Sequence, residues 1–361
     1  MYKSHTWKSQ ARRAIHFLFR IPVPPWHCEQ VKLYGSRKLR MSYDDLLRRV
    51  TDAFPNLSYV SEFIVRGWSA RPPYNIRPFF DSAWSALGHG LRKLSLDREV
   101  ETLHEVLHST PYFPLLQEFD LSLTSFGLPR IKSTDDALLC GVAAPFINRH
   151  RSTLRTLSIR SLCSLDLSAF FLALDRFSIL DQFSLRFGFD LTFRSDSSGL
   201  TRFLREHAKT LKRIRLITGP SAPVEFVQNN YSTGFKTWIT QSTSEPTLFG
   251  QLTSLTISSV HQLDFASVMS HISRSADTLT ELSLCSRCLT LEEVNSLVTI
   301  FAPRPHSTGL KSLRLNISEI TFELIHLLAA HLPGLQKLCL YTESHTPRVS
   351  KPSAVDGFFG L

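Results

Sequence analysis

The chain has no acidic residue before Glu29, no long apolar run and no glycine-rich loop, and each gap removes a class of protein. A membrane-spanning helix takes about 18 or more consecutive apolar residues. No run here approaches that, so no membrane span is expected. The acid-free start carries Lys3, Lys8, Arg12, Arg13 and Arg20, but its apolar run, 14–19, is too short and too late for a secretory signal. A mitochondrial presequence stays compatible with the pattern. Cysteine is sparse: Cys28, Cys140, Cys163, Cys285, Cys288 and Cys339 are scattered over 361 positions, unlike the dense framework of a disulfide-stapled secreted domain. A reducing intracellular setting, cytoplasm or nucleus, fits that usage. No phosphate loop, G-x-S-x-G elbow or dinucleotide fingerprint occurs. The common enzymatic chemistries therefore lack a nucleophile or a cofactor cradle, and a non-enzymatic protein without a cofactor is expected.

What is present in plenty is one phrase. Leu279-Thr-Glu-Leu282-Ser-Leu284, Leu310-Lys-Ser-Leu313-Arg-Leu315 and Leu335-Gln-Lys-Leu338-Cys-Leu340 all read LxxLxL. The fourth and sixth positions share one face of a short strand, while their polar neighbours point the other way. Between the copies, Val294, Leu297, Val298 and Phe301, and then Leu324, Ile325 and Leu328, recur at helical spacing. Each unit reads strand, loop, helix. Neither element buries its apolar face alone, so the units must stack, with parallel strands inside and helices outside.

Degenerate copies start at Leu57, Leu91, Leu116, Leu154, Leu180, Leu211 and Leu252, with Phe119, Phe183 and Ile214 at the fourth position, which makes about ten irregular repeats. The junction Pro55-x-Leu57 recurs at Pro114 and Pro333, where proline ends one unit and leucine opens the next. Helices are expected near 99–109, 135–150, 167–177, 199–209, 265–275, 290–301 and 318–331. The interval from Leu211 to Leu252 is the longest, and its Gly219, Pro220, Pro223 and polar stretch 228–234 predict a projecting insertion. Near the N-terminus, alternation over 15–21 predicts a strand closing that end. Ser42 with Asp45 resembles a capping box before the apolar stripe Leu46, Leu47, Val50, Ala53 and Phe54. The expected organisation is a basic leader and cap over 1–41, one repeat domain over 42–341, and an irregular tail over 342–361. That tail should cap the end poorly, with Phe358 and Phe359 as a partial lid.

On these residues the chain resembles the leucine-rich-repeat family (LRR), in the helix-backed form of ribonuclease-inhibitor-like folds and of the repeat halves of F-box proteins. The resemblance covers roughly residues 55–341. It implies an α/β fold, a curved solenoid with a parallel sheet on the concave side and helices and irregular loops on the convex side. The chain departs from the pattern at the ninth position, where Glu99, Thr124, Leu162, Gly188, Gly219, Val260, Arg287, Ser318 and Glu343 stand in place of the usual asparagine or cysteine. No asparagine ladder can run along it. No F-box is recognisable in residues 1–50. The resemblance implies a protein-interaction module that takes protein partners. More specifically it implies substrate recognition in an F-box-type ubiquitin ligase, with the ligase adaptor as a further partner.

Two other functions compete. Net charge is +10, and residues 1–56 hold 11 Lys and Arg against 4 Asp and Glu, so a basic leader could bind nucleic acid or an anionic surface. It lacks the aromatic, glycine or zinc pattern that usually accompanies such binding, and reads first as a solvated terminus. His104-Glu105-Val106-Leu107-His108 matches H-E-x-x-H, the zinc-hydrolase signature. On a helical wheel, however, Val100, Leu103 and Leu107 define the buried direction and turn Glu105 away from any cleft. Cys285-x-x-Cys288 has no second pair at zinc-site spacing and reads as packing. No metal site is expected.

Once the leucines are assigned to the core, the third, fifth and seventh positions of each strand must line the open face. That places Asp97, Glu118 and Asp120 in an acidic patch, and Arg160, Arg186, Arg213 and Arg215 in a basic patch beside it. Small polar residues follow as far as Arg314 and Tyr341. These nine residues are the expected partner-binding surface. The plainer alternative is that the arginines pair with nearby carboxylates and only keep the sheet soluble.

Overall fold

The computed structural model describes residues 15–18, 43–57, 60–66, 76–107, 112–124, 137–161, 166–187, 196–218, 233–245, 247–258, 264–301 and 309–342. Among them, 11 parallel strands form one sheet whose spatial order is the order of the chain. They are β1 (Ile15–Leu18), β2 (Glu62–Arg66), β3 (Lys93–Glu99), β4 (Glu118–Thr124), β5 (Thr156–Ser161), β6 (Gln182–Phe187), β7 (Arg213–Thr218), β8 (Ser254–Ser258), β9 (Glu281–Leu289), β10 (Ser312–Ile317) and β11 (Lys337–Thr342). The α-helices between them are α1 (Tyr43–Ala53), α2 (Arg77–Leu87), α3 (Val100–Leu107), α4 (Ala144–Arg149), α5 (Ser168–Ala173), α6 (Ser198–Glu206), α7 (Thr233–Ser242), α8 (Phe265–Ser275), α9 (Leu291–Ile300) and α10 (Phe322–His331). This is the α/β leucine-rich-repeat solenoid.

Sequence alternation becomes a two-faced sheet. Leu157 and Ile159 in β5, and Phe183 and Leu185 in β6, are buried, while Thr156, Ser158, Gln182 and Ser184 between them are half-exposed. The buried strand residues share one continuous core with the buried faces of the helices, so the helices cover one side of the sheet. Packed helices need about 8–10 Å between axes, whereas paired strands need about 4.8 Å. With helices on one face only, the sheet bends so that its bare face becomes the inner one.

Register is fixed by a repeated backbone device. The carbonyl of the second residue of each unit accepts from two successive N–H groups of the next. Ser61 O takes Arg92 and Lys93 at 2.8 and 3.0 Å, and Lys311 O takes Gln336 and Lys337 at 2.8 and 2.9 Å. Helix starts are set by side chains. Asp264 accepts from the Ser267 N–H to cap α8, and Thr290 with Glu293 forms a reciprocal capping box on α9.

Buried histidines tie successive units together. His150 Nδ1 meets the Phe146 carbonyl at 2.9 Å, while its Nε2 accepts the Phe113 N–H at 3.1 Å. His207 repeats the pattern, with Nδ1 at 2.6 Å from the Phe203 carbonyl and Nε2 accepting the Phe177 N–H at 2.8 Å. Each ring ties the end of its own helix to the approach to the preceding strand or helix loop, and accepting through Nε2 requires a neutral ring. Desolvation by burial, the dominant cause, pushes His150 down to about 4 and lowers His207 as well. His271 is also held down to about 4 by burial; it sits against Ser242 Oγ and the Ile239 carbonyl.

Several expectations need correction. The first core is not at Leu57, which ends a 3₁₀ turn, Phe54–Leu57. Pairing of Phe63 with Leu94 and of Val65 with Leu96 makes Val60-x-x-Phe63-x-Val65 the repeat core. The predicted N-terminal strand exists as β1, and it pairs in parallel with β2. Ala53 faces solvent rather than joining the apolar stripe of α1. The long interval after β7 is not loop alone: α7 buries Phe235, Trp238 and Ile239, and Trp238 Nε1 donates to Thr201 Oγ1 at 3.0 Å. α2, which no sequence expectation covered, buries Phe79, Phe80 and Trp84. The Ser42 cap, Cys28 and Cys163, and the tail beyond Thr342 lie outside the described residues.

Candidate docking surface on the open face of the sheet

Strand register converts the predicted outward positions into three rows that cross the sheet. One runs Lys93, Glu118, Thr156, Gln182, Arg213, Ser254. The middle row runs Ser95, Asp120, Ser158, Ser184, Arg215, Thr256, and the third runs Asp97, Ser122, Arg160, Arg186, Ile217, Ser258. The alternation that buries the leucines leaves these side chains facing away from the helices. Arg160 and Arg186 are therefore direct neighbours, and Arg215 lies diagonally from Arg186 on the next strand.

The patches differ in how freely their charges stand. Among the acids, Glu118 is held by Lys93 at 3.5 Å, and Lys93 also reaches Glu62 at 3.8 Å. Asp120 accepts from Ser95 Oγ at 3.1 Å, while its Oδ1 is buried without a hydrogen-bond partner among the described residues. Asp97 is half-buried beside them. Among the bases, Arg213 reaches Asp181 at 3.5 Å, so the plainer reading holds for that one arginine. Arg160, Arg186 and Arg215 carry no ion pair among the described residues, and Arg186 and Arg215 are exposed.

Arg314 and Tyr341 are brought together but away from this cluster. The Arg314 guanidinium lies 4.7 Å from the Tyr341 ring centroid, a cation–π pair on β10 and β11. The middle row places Thr256 and Ser283 between Arg215 and Arg314. The nine predicted residues thus form an acidic group, a basic group and a separate aromatic pair.

On α3, His104 and Glu105 both face solvent, opposite Leu103, Val106 and Leu107, and His108 is outside the described residues. Among the described residues there is no group of three His, Cys, Asp or Glu placed to hold a metal. Cys285 and Cys288 are half-buried and free in β9. There the pairing slips, with Leu315 opposite Leu284 but Ile317 opposite Leu289, so the cysteines occupy a bulge. Arg287 in that bulge pairs with Glu293 and lies over the Phe265 ring at 5.6 Å. Among the described residues no helix is long and apolar enough to cross a membrane. The histidine ties were missed in the sequence, although a signal was there: His150, His207 and His331 each stand four residues before the leucine that opens the next unit.

No family model matches the chain, and no curated protein matches it. Among solved structures, the leucine-rich-repeat-containing protein LegL7 from Legionella pneumophila is similar at 14% identity over 79% of this chain and 84% of its own, with a TM-score of 0.43. The protein in a TLR13–ssRNA13 complex is similar at 16% identity over 80% of this chain and 33% of its own, with a TM-score of 0.38. The fold assignment rests on strand order and register, described above.

Proposed function

We propose that this protein is a non-enzymatic protein-interaction module whose docking surface is the open face of the sheet. The observation that carries it is the pair of exposed arginines, Arg186 and Arg215, which make no ion pair among the described residues and are fixed on adjacent strands of a multi-stranded face. Charge held out of ion pairs on a rigid scaffold favours a partner that supplies the counter-charge. Affinity capture with mass spectrometry tests it, comparing the natural chain with Ser184→Trp/Thr256→Trp, which puts bulk on the middle row. Partners should be lost from this variant and kept by Arg205→Ala on the helix side. Retention of every partner by the blocked face would refute the reading. Within it, substrate recognition for an F-box-type ubiquitin ligase is the specific role suggested by the family resemblance; recovery of a ligase adaptor in the same capture would support it, and its absence would set that role aside.

A further inference from the structure

We propose that strands β5–β7 recognise an acidic peptide segment, and that the carboxylates of β3 and β4 set where its acidic run must stop. The inference rests on the docking face proposed above and adds the chemistry of what docks there. Arg160 pairs directly with Arg186, and Ser184, two residues before Arg186, pairs with Arg215. Strands about 4.8 Å apart and a rise of about 3.3 Å per residue put the three Cα atoms within about 12 Å of one another. Their neighbours Ser158, Ser184, Thr256 and Ser258 are short. The guanidinium groups stand among these hydroxyls with Ile217 beside Arg186, and like charges so close repel one another until an anion arrives.

The spacing describes the ligand. A segment laid across three strands covers about 10 Å, which an extended chain does in about three or four residues. Planar guanidinium groups take carboxylates in bidentate fashion, so a short run of Asp or Glu matches the patch. Along the third row Asp97 stands two strands from Arg160, with Ser122 between, and Asp120 lies on the intervening strand. An acidic run continuing in that direction meets like charge about 10 Å on. The ligand must therefore change sign along its length. A peptide does so readily, whereas a nucleic-acid strand carries a phosphate at every residue and would press charge onto Asp97 and Asp120.

Fluorescence anisotropy with labelled synthetic peptides tests this on the full chain at low salt. One peptide has a glutamate block, a serine spacer and a lysine block; a second has the same residues alternated; a uridine oligomer is the uniform polyanion. The block peptide should bind about tenfold or more tighter than either, weaken with salt, and lose about tenfold in affinity in Arg186→Ala/Arg215→Ala with the circular dichroism spectrum unchanged. Asp97→Asn should narrow the gap between block peptide and uridine oligomer. Equal binding of block and alternated peptides, equal or tighter binding of the uridine oligomer, or full affinity in the double arginine variant would overturn the proposal. If those results came while Ser184→Trp/Thr256→Trp still lost captured partners, the docking face would stand and only its acidic specificity would fall.

Discussion

The repeats of β10 and β11 contain the same motif in different surroundings. In β10, Leu313 and Leu315 are 1% and 0% exposed, as buried as any core residue. In β11, at the same motif position, Leu338 is 40% exposed, and nearby on α10 Phe322 is 89% exposed. Nothing in the local sequence accounts for the difference. Leu313 and Leu315 lie on a strand flanked by β9 and β11, whereas among the described residues β11 has β10 alone beside it, so burial and stability belong to neighbouring pairs of repeats.

The contrast is most easily broken with paired truncations. Leu313→Ala should cost about 2–5 kcal/mol in urea unfolding, because it empties a closed cavity. Leu338→Ala should cost about 1 kcal/mol or less, since water already reaches the site; equal costs would show that the last repeat is as well covered as the rest.

A second comparison uses the histidines. His207→Ala should cost about 2–3 kcal/mol, as the Phe177 N–H loses its partner inside the core while the Phe203 carbonyl keeps only the backbone N–H of residue 207. His331, in the same place relative to its leucine but half-buried, should tolerate alanine within about 1 kcal/mol. The same rings predict a pH response. With folded values near 4 for His150 and His271 against 6.5 unfolded, the unfolded chain binds more protons between those limits. Their contribution is complete above about 6.5 and is lost as pH falls toward about 4. Denaturation midpoints measured across that window should fall, and should fall less in His150→Gln.

Glycines sharpen the comparison at smaller scale. A Cβ on Gly199 would lie 2.9 Å from the Ser168 carbonyl and 3.1 Å from Leu172, so Gly199→Ala should cost about 1–3 kcal/mol by forcing α6 from α5. Gly334, at the junction just before the last unit, has nothing within 4 Å of such a Cβ, and Gly334→Ala should leave the melting temperature unchanged or slightly raised.

Much of the fold was legible because leucine at the fourth and sixth positions has one physical reading, a strand with a single buried face. Legibility failed where other residues met the same need. Val60, Phe63 and Val65 fill the first core as well as leucines would, so their unit was set three residues early, at Leu57. α7 was hidden because its apolar residues follow a polar, proline-containing stretch that reads as loop. The open-face positions followed from alternation, and the register confirms the rows. Which charges stand free did not follow, because the Arg213 to Asp181 and Glu118 to Lys93 pairings depend on neighbouring strands and on residues before them, whose approach no local pattern encodes.

The paired N–H groups that each unit lends to the carbonyl before it give the stack a direction under load. Tension on the C-terminal end along the stacking axis meets these bonds one unit at a time, as in a zipper, with no shared shear across the whole sheet. The first tooth is β11 with α10, held by Lys311 O on one side and by half-covered leucines beneath. In an optical trap, pulling from that end should release chain at low force in short steps of unequal length, one unit each, beginning there, and the force should rise as the rip reaches the histidine-tied units.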